Sequence, residues 1–370
     1  MNKYISRALK AVALILPLLF IFIFAQEYLF DNRDYDTYRI EAFYEEEENS
    51  LDVVFMGASE VTAGYAPGYA YEQYGFTSYM YAIDANRGSL YLPQLKEILK
   101  HQNPEILFVD LYGFLHADDE YLSDEVRLRI FTESVPFSAN KYQTVMNHPT
   151  KHKLSYFFPL IMYHGDPSIA YGRLLDTYRT LTKDAKPSPL KGAMTKTVVY
   201  TGEGTHGAEY DPATHKLTNR SKEILVEFLE YCKSRNLNVV FTNFPRYLAD
   251  ENQHTLMFLL NQAAPIVAQY GYPLLNLQKE ADAIGIDTSH DYYNVHHLNI
   301  YGQIKLTDYL GNLIVNEYGL TPRPQSESNK LEWEHCASNT KEYIEMAKDA
   351  IQSGNDILIH ENAVHWKFRN

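Results

Sequence analysis

The sequence predicts an α/β fold with a mostly parallel central sheet, preceded by one membrane-spanning helix. Three observations carry this expectation. Short apolar runs have the length and composition of buried strands: LDVVFMG at 51–57, EILFVDLYGF at 105–114, LNVVFTNFP at 237–245 and PLLNLQ at 273–278. Between them lie longer segments with apolar residues at helical spacing, the alternation expected of βα units rather than hairpins. Ahead of them all, AVALILPLLFIFIFA at 11–25 is an uninterrupted apolar run, preceded by Lys3, Arg7 and Lys10 with no acid.

Taken in order, residues 1–30 form the membrane anchor. With its flanks the run approaches the ~20 residues that span a bilayer. The positive flank places the N-terminus inside and the remainder outside, as a single-pass protein of the cell membrane. A cleaved signal peptide is the competing reading, but Ile23, two positions before Ala25, makes a poor small-x-small cleavage site. Residues 31–50 read as a juxtamembrane stalk or short helix, with Glu45–Glu48 a solvated face.

The main domain is expected over 51–320. Pro67 suits the first turn of a helix that ends at Gly75. A helix over 90–104 carries Leu92, Leu95, Ile98 and Leu99 on one face and stops before Pro104. Asp110 stands near the exit of the second strand. Residues 115–220 are less regular and read as an insertion, partly helical, with a lid or substrate-facing role. Beyond it, Ser221 is the expected N-cap of a helix bearing Ile224, Leu225, Phe228 and Leu229. The helix and strand that follow LNVVFTNFP lead to a C-terminal helix over 298–319. Residues 321–370 form an extension, with a polar Pro/Ser stretch and a helix around 339–352.

Composition narrows the function. The 370 residues carry a formal net charge of −14. Acidic residues spread along the chain argue against a polyanion-binding surface, so nucleic acid is not an expected partner. The two cysteines, Cys232 and Cys336, support neither a disulfide framework nor a zinc spacing.

In an open parallel sheet, residues just past the strand ends converge on one edge. Ser59, Asp110, Asn243 and the 287–297 loop should meet there. Acyl transfer requires a hydroxyl nucleophile, a histidine that takes its proton, and an acceptor that fixes the histidine tautomer. Ser59 and one of His296 or His297 supply the first two. Each residue has a plainer reading: Ser59 as a turn or cap residue, either histidine as structural. The adjacent histidines form no HxxxH or HExxH pattern, so no metal site is expected, and no cofactor. His164, in YHGD with Asp166, is read by default as packed, with a role toward a metal or a substrate as the alternative.

FMGASEVTAGYAPGYAYEQYGFTSY at 55–79 and NVHHLNIYGQIKLTDYL at 294–310 carry a resemblance. From about 51 to 320 the chain resembles the SGNH/GDSL hydrolase superfamily, in its membrane-anchored branch of DltD-like proteins and relatives of alginate acetylation factors. The resemblance implies a three-layer α/β/α sandwich of the SGNH/flavodoxin-like kind. It implies Ser59 as nucleophile and His297 as base. The triad acid position holds Asn294; Asp291 is the nearest substitute and Asp287 a poorer one. An amide oxygen accepts from the imidazole N–H but does not stabilise an imidazolium, and a similar change in a serine protease costs ~10⁴ in rate. Met80 stands where related sequences carry an oxyanion-hole Asn, leaving Asn86, Gly88, Asn243 and the Ser59 backbone N–H as donors. The implied function is an extracytoplasmic, tethered acyltransferase or esterase. Its substrate would be O-acyl groups of a cell-envelope polysaccharide, polyol or teichoic-acid-like polymer, with a multi-pass membrane O-acyltransferase as partner. The alternative is a catalytically impaired relative that binds glycan or assembles an envelope-modification complex.

Overall fold

The computed structural model describes residues 3–28, 35–116, 124–165, 190–201, 216–247 and 255–359. It divides into two units, Met1–Asp34 with Thr150–Ala185, and Tyr35–Pro149 with Lys186–Asn370. The first unit begins with α1 (Lys3–Tyr28), whose stretch Tyr4–Gln26 has a mean hydropathy of 2.6 and is long and apolar enough to cross a membrane. Pro17 lies inside it, as spanning helices tolerate.

In the second unit, α2 (Tyr35–Phe43) leads to β1 (Val53–Gly57), α3 (Ser59–Gly64), α4 (Pro67–Tyr74) and β2 (Ser78–Ala82). Pro67 occupies the first turn of α4, and Gly75 ends it in the left-handed conformation at φ 79°. Next come α5 (Gly88–His101), β3 (Ile106–Asp110), α6 (Glu125–Ser134) and α7 (Ala139–Asn147). The five-residue α8 (Pro159–Tyr163) belongs to the first unit. The chain then forms β4 (Thr195–Lys196), α9 (Asn219–Ser234), β5 (Val239–Asn243), α10 (Thr255–Gln269) and β6 (Leu274–Asn276). It closes with α11 (Ala281–Ile284), α12 (Ile300–Asn312), α13 (Glu327–Gln352) and β7 (Leu358–Ile359). The cap of α9 is Thr218, whose hydroxyl accepts from the Ser221 N–H at 3.0 Å. Ser221 itself, the expected cap, is buried one turn in and donates to the His116 carbonyl.

The central sheet has the order β2-β1-β3-β5-β6, and every pairing in it is parallel. The residues of β1, β2, β3 and β5 are all buried, so these strands are covered on both faces, which explains their unbroken apolar runs. The chain passes from β1 to β2 on one side and returns to β3 on the other. That reversal opens a crevice at the carboxyl ends of β1 and β3. β4 and β7 form a separate antiparallel ladder.

One expectation is corrected. The stalk over 31–50 is, from residue 35 onward, part of the domain; 31–34 lie outside the described residues. Ile40 and Phe43 are fully buried on α2. The buried Arg39 pairs with Asp36 and donates to the carbonyls of Gly192 (2.8 Å) and Ala82 (3.0 Å). Glu45, Glu47 and Glu48 are exposed as expected, but Glu46 is buried and bonds Lys191 Nζ at 2.8 Å. Over its described residues, 321–359, the C-terminal extension packs on the domain. Ser326 caps α13, which buries Trp333, Cys336, Tyr343 and Ala347. A side chain at Gly68 of α4 would run into Cys336 and Thr340, so the two helices meet closely. Of the 115–220 insertion, 117–123, 166–189 and 202–215 lie outside the described residues, and the lid reading with them.

Removing Arg39 takes the cation from the buried Asp36 carboxylate. Arg39→Ala is expected to lower unfolding free energy by about 3–5 kcal/mol, read from urea unfolding of the full chain.

Candidate active site

β1 ends at Gly57, Ala58 is extended (φ −114°, ψ −162°), and Ser59 opens α3. A Cβ at Gly57 would come within 2.9 Å of Asp110 Cβ and against the Val61 side chain. Glycine therefore lets the exits of β1 and β3 approach, and the serine follows at the rim of the crevice. The Ser59 carbonyl accepts from Thr62 Oγ at 3.0 Å, which ties the turn down.

The histidine arrives on a loop folded back on itself. Tyr292 bridges Leu298, and Tyr293 N–H donates to the His297 carbonyl at 3.1 Å. Asn299 caps α12 with its side-chain oxygen and donates through Nδ2 to the carbonyls of His290 (2.7 Å) and Val198 (3.1 Å). This holds the loop at both ends. The Tyr293 ring stacks on His297 at 5.0 Å and 5°.

Ser59 Oγ lies 2.6 Å from His297 Nε2, and His297 Nδ1 lies 2.9 Å from Asn294 Oδ1. The same Asn294 oxygen accepts the backbone N–H groups of His296 (2.8 Å) and His297 (3.0 Å). Two backbone donors fix which end of the amide faces the imidazole. Nδ1–H must then donate to Asn294, and Nε2 presents its lone pair to the serine hydroxyl. The amide thus sets the tautomer that a carboxylate would set, without the carboxylate's charge.

The surroundings keep this imidazole neutral. Burial first, then the neighbouring His296 and Arg246, push His297 down to about 3. Burial and Arg246 push His296 down as well. Arg246 Nη1 donates to His296 Nδ1 at 3.0 Å, Nη2 pairs with Glu60, and the guanidinium lies 4.4 Å over the Tyr112 ring. Burial lowers Arg246 to about 9, so it remains charged at neutral pH. Asp110 accepts from the N–H groups of Tyr112 (2.9 Å) and Phe244 (3.2 Å), locking the exits of β3 and β5 together. Its burial outweighs those bonds and raises it to about 7.

Of the expected residues, Ser59, His297 and Asn294 come together and the others do not. Asp291 is fully buried and spends its carboxylate on Lys305 Nζ (2.7 Å), the Asp287 N–H (2.7 Å) and His290. It braces the loop and makes no bond to His297. Asp287 is exposed and bonds Ser289. Asn86 is fully buried, with both amide hydrogens used by the Gly57 carbonyl and Gln94. Gly88 packs where a side chain would strike Phe114. Asn243 Nδ2 faces Asn276 Oδ1 (3.3 Å) and Met257 Sδ (3.7 Å). His164 lies in the first unit, where its Nδ1–H donates to the carbonyls of Leu160 and Ile161 at the end of α8. Among the described residues, no cluster of three His, Cys, Asp or Glu side chains could hold a metal ion.

Glu60, Arg246, Tyr112 and Tyr293 escaped the sequence reading. Arg246 lies three residues past the end of β5, and that position was its only sequence signal. Its pairing with Glu60, 186 residues away, had no sequence signal.

The geometry predicts an imidazole that stays neutral in acid. Histidine NMR should show His297 unprotonated down to about pH 4, against the ~6.5 of an ordinary histidine. Asn294→Asp and Arg246→Gln should each move that midpoint upward, the first by adding a carboxylate, the second by removing a cation.

A scan against protein-family models and a search of curated proteins found no match to this chain.

Proposed function

We propose that this chain is a membrane-tethered acyltransferase or esterase of the SGNH type, in a three-layer α/β/α domain. The observation that supports it most is the Ser59–His297–Asn294 relay, with bonds of 2.6 and 2.9 Å at the sheet's switch point. Ser59 Oγ attacks an acyl carbonyl carbon while its proton passes to His297 Nε2. The tetrahedral adduct collapses as Nε2–H protonates the leaving oxygen, and the acyl group remains as an ester on Ser59. A second hydroxyl, from acceptor or water, gives its proton to Nε2 and takes the acyl group, restoring Ser59. The Ser59 backbone N–H, at the start of α3, is an oxyanion donor in this scheme.

The acceptor in this reading is a hydroxyl of a cell-envelope glycan or polyol polymer outside the membrane, with the N-terminus inside. The net charge of −14 favours a neutral glycan over a polyphosphate. A multi-pass membrane O-acyltransferase would deliver the acyl group.

A second reading has one observation in its favour. An imidazole held down to about 3 and lacking a carboxylate is a weak base, as in a relative that uses the cleft to bind glycan without turnover.

A fluorophosphonate probe separates the two. Catalysis predicts a phosphonylated Ser59 peptide by mass spectrometry, no label in Ser59→Ala, and labelling slowed by about 10²-fold or more in His297→Ala. Asn294→Asp is expected to speed hydrolysis of a chromogenic acetyl ester, by up to about 10⁴-fold. Absence of label and of turnover, including in Asn294→Asp, gives the site to the binding reading.

In the wild type the labelling rate should also be flat from pH 8 to about 5, because neutral His297 persists throughout. An inflection near 6.5 would mean an ordinary, solvated imidazole.

A further inference from the structure

Residues 151–165 carry apolar side chains that their own fold leaves uncovered. Leu154, Phe158, Ile161 and Met162 are all exposed, Leu154 at 65% and Met162 at 55%. Four such groups on one short segment are unusual on a water-facing surface. The segment lies against the C-terminal turns of α1. The Phe158 ring is 6.1 Å from Phe22, and Gln26 Nε2 donates to the Phe157 carbonyl at 3.2 Å. Phe22 and Gln26 both belong to the stretch long and apolar enough to cross a membrane. Phe22 lies one helical turn inside its end, about 6 Å along the axis. With α1 spanning a bilayer, a ring 6.1 Å from Phe22 lies at the depth of the bilayer, not of the water beyond it.

The backbone suits that depth. Lys153–Tyr156 forms a 3₁₀ turn and α8 follows, so N–H and C=O groups pair within the segment: Phe157 and Phe158 N–H to Leu154, Ile161 N–H to Phe158, His164 N–H to Leu160. His164 Nδ1–H donates to the last carbonyls of α8, at 3.1 Å from each of Leu160 and Ile161. Polar backbone left open would be costly in lipid. Lys151 and His152 stand exposed just before the segment, and long basic side chains are of the kind that snorkel to lipid headgroups. Tyr163, at its far end, is a residue type enriched at membrane interfaces.

We propose that residues 153–163 are seated in the membrane interface beside the C-terminal end of α1, with Leu154, Phe158, Ile161 and Met162 against lipid. The protein then holds the bilayer by a spanning helix and by a second, monotopic contact. This does not depend on the serine site being catalytic.

The two native cysteines are buried, which allows selective labelling of an introduced one. Ile161→Cys and Met162→Cys, labelled with an environment-sensitive NBD dye in the full chain, are compared in phosphatidylcholine–phosphatidylglycerol vesicles with Leu14→Cys in α1 and exposed Glu223→Cys in α9. Emission of the 161 and 162 probes should shift to the blue of the Glu223 probe. Doxyl-labelled lipid should quench them several-fold more than the Glu223 probe, and iodide less. Water-like emission without lipid quenching at both positions overturns the proposal. So does shielding from iodide and lipid together, which would mean that protein covers the segment. A Leu14 probe that lipid does not quench overturns it too, because the depth argument needs α1 in the membrane.

Discussion

The hydrogen bond between Ser59 and His297 joins residues 238 apart in sequence, and it forms because the sheet reverses its order at β1. With neighbours β2 and β3 reached in opposite directions, the end of β1 faces a crevice instead of a crossover helix. Gly57 keeps the rim narrow by letting Asp110 approach. Asp110 in turn binds backbone N–H groups at the ends of β3 and β5, so three strand exits are held in one place. The serine needs only to follow the glycine.

Asn294 separates two duties that a triad carboxylate usually combines. Its oxygen orients the imidazole and fixes the tautomer through three hydrogen bonds. It offers no charge to an imidazolium. Arg246 adds to that deficit, since its guanidinium stands beside His296 and disfavours a second positive charge nearby. Glu60 offsets part of the cation, and Tyr112 supplies a ring face beneath it. The site is well ordered for proton transfer but weakly basic.

The segments flanking the sheet domain are fastened to it by buried polar contacts. Lys191 is fully buried, bonds Glu46 and Glu332, and lies 4.7 Å over the Trp333 ring. Burial pulls its ammonium down, but the two carboxylates outweigh this and hold it above its usual range. Residues before β1, residues from the insertion and the C-terminal helix thus meet at one cation. Removing Lys191 would take the cation from the buried Glu46 carboxylate.

Apolar patterning by itself determined four of the five central strands, the principal helices, the parallel sheet and an N-terminal helix able to cross a membrane, because burial on both faces, helical periodicity and bilayer length all leave local marks; β2, Ser78–Ala82, was missed. It also placed Ser59 and the 287–297 loop at the same edge. Only the tertiary structure decided among the loop's polar residues. Asn294 and Asp291 are three positions apart, and only the turn of the loop decides that Asn294 meets His297 while Asp291 meets Lys305. Asn86 and Asn243 looked like free donors until their amides were seen to be used elsewhere. Charged residues over 35–50 read as a stalk, because a buried Arg39 or Glu46 is identified by its partners, and those come from distant parts of the chain.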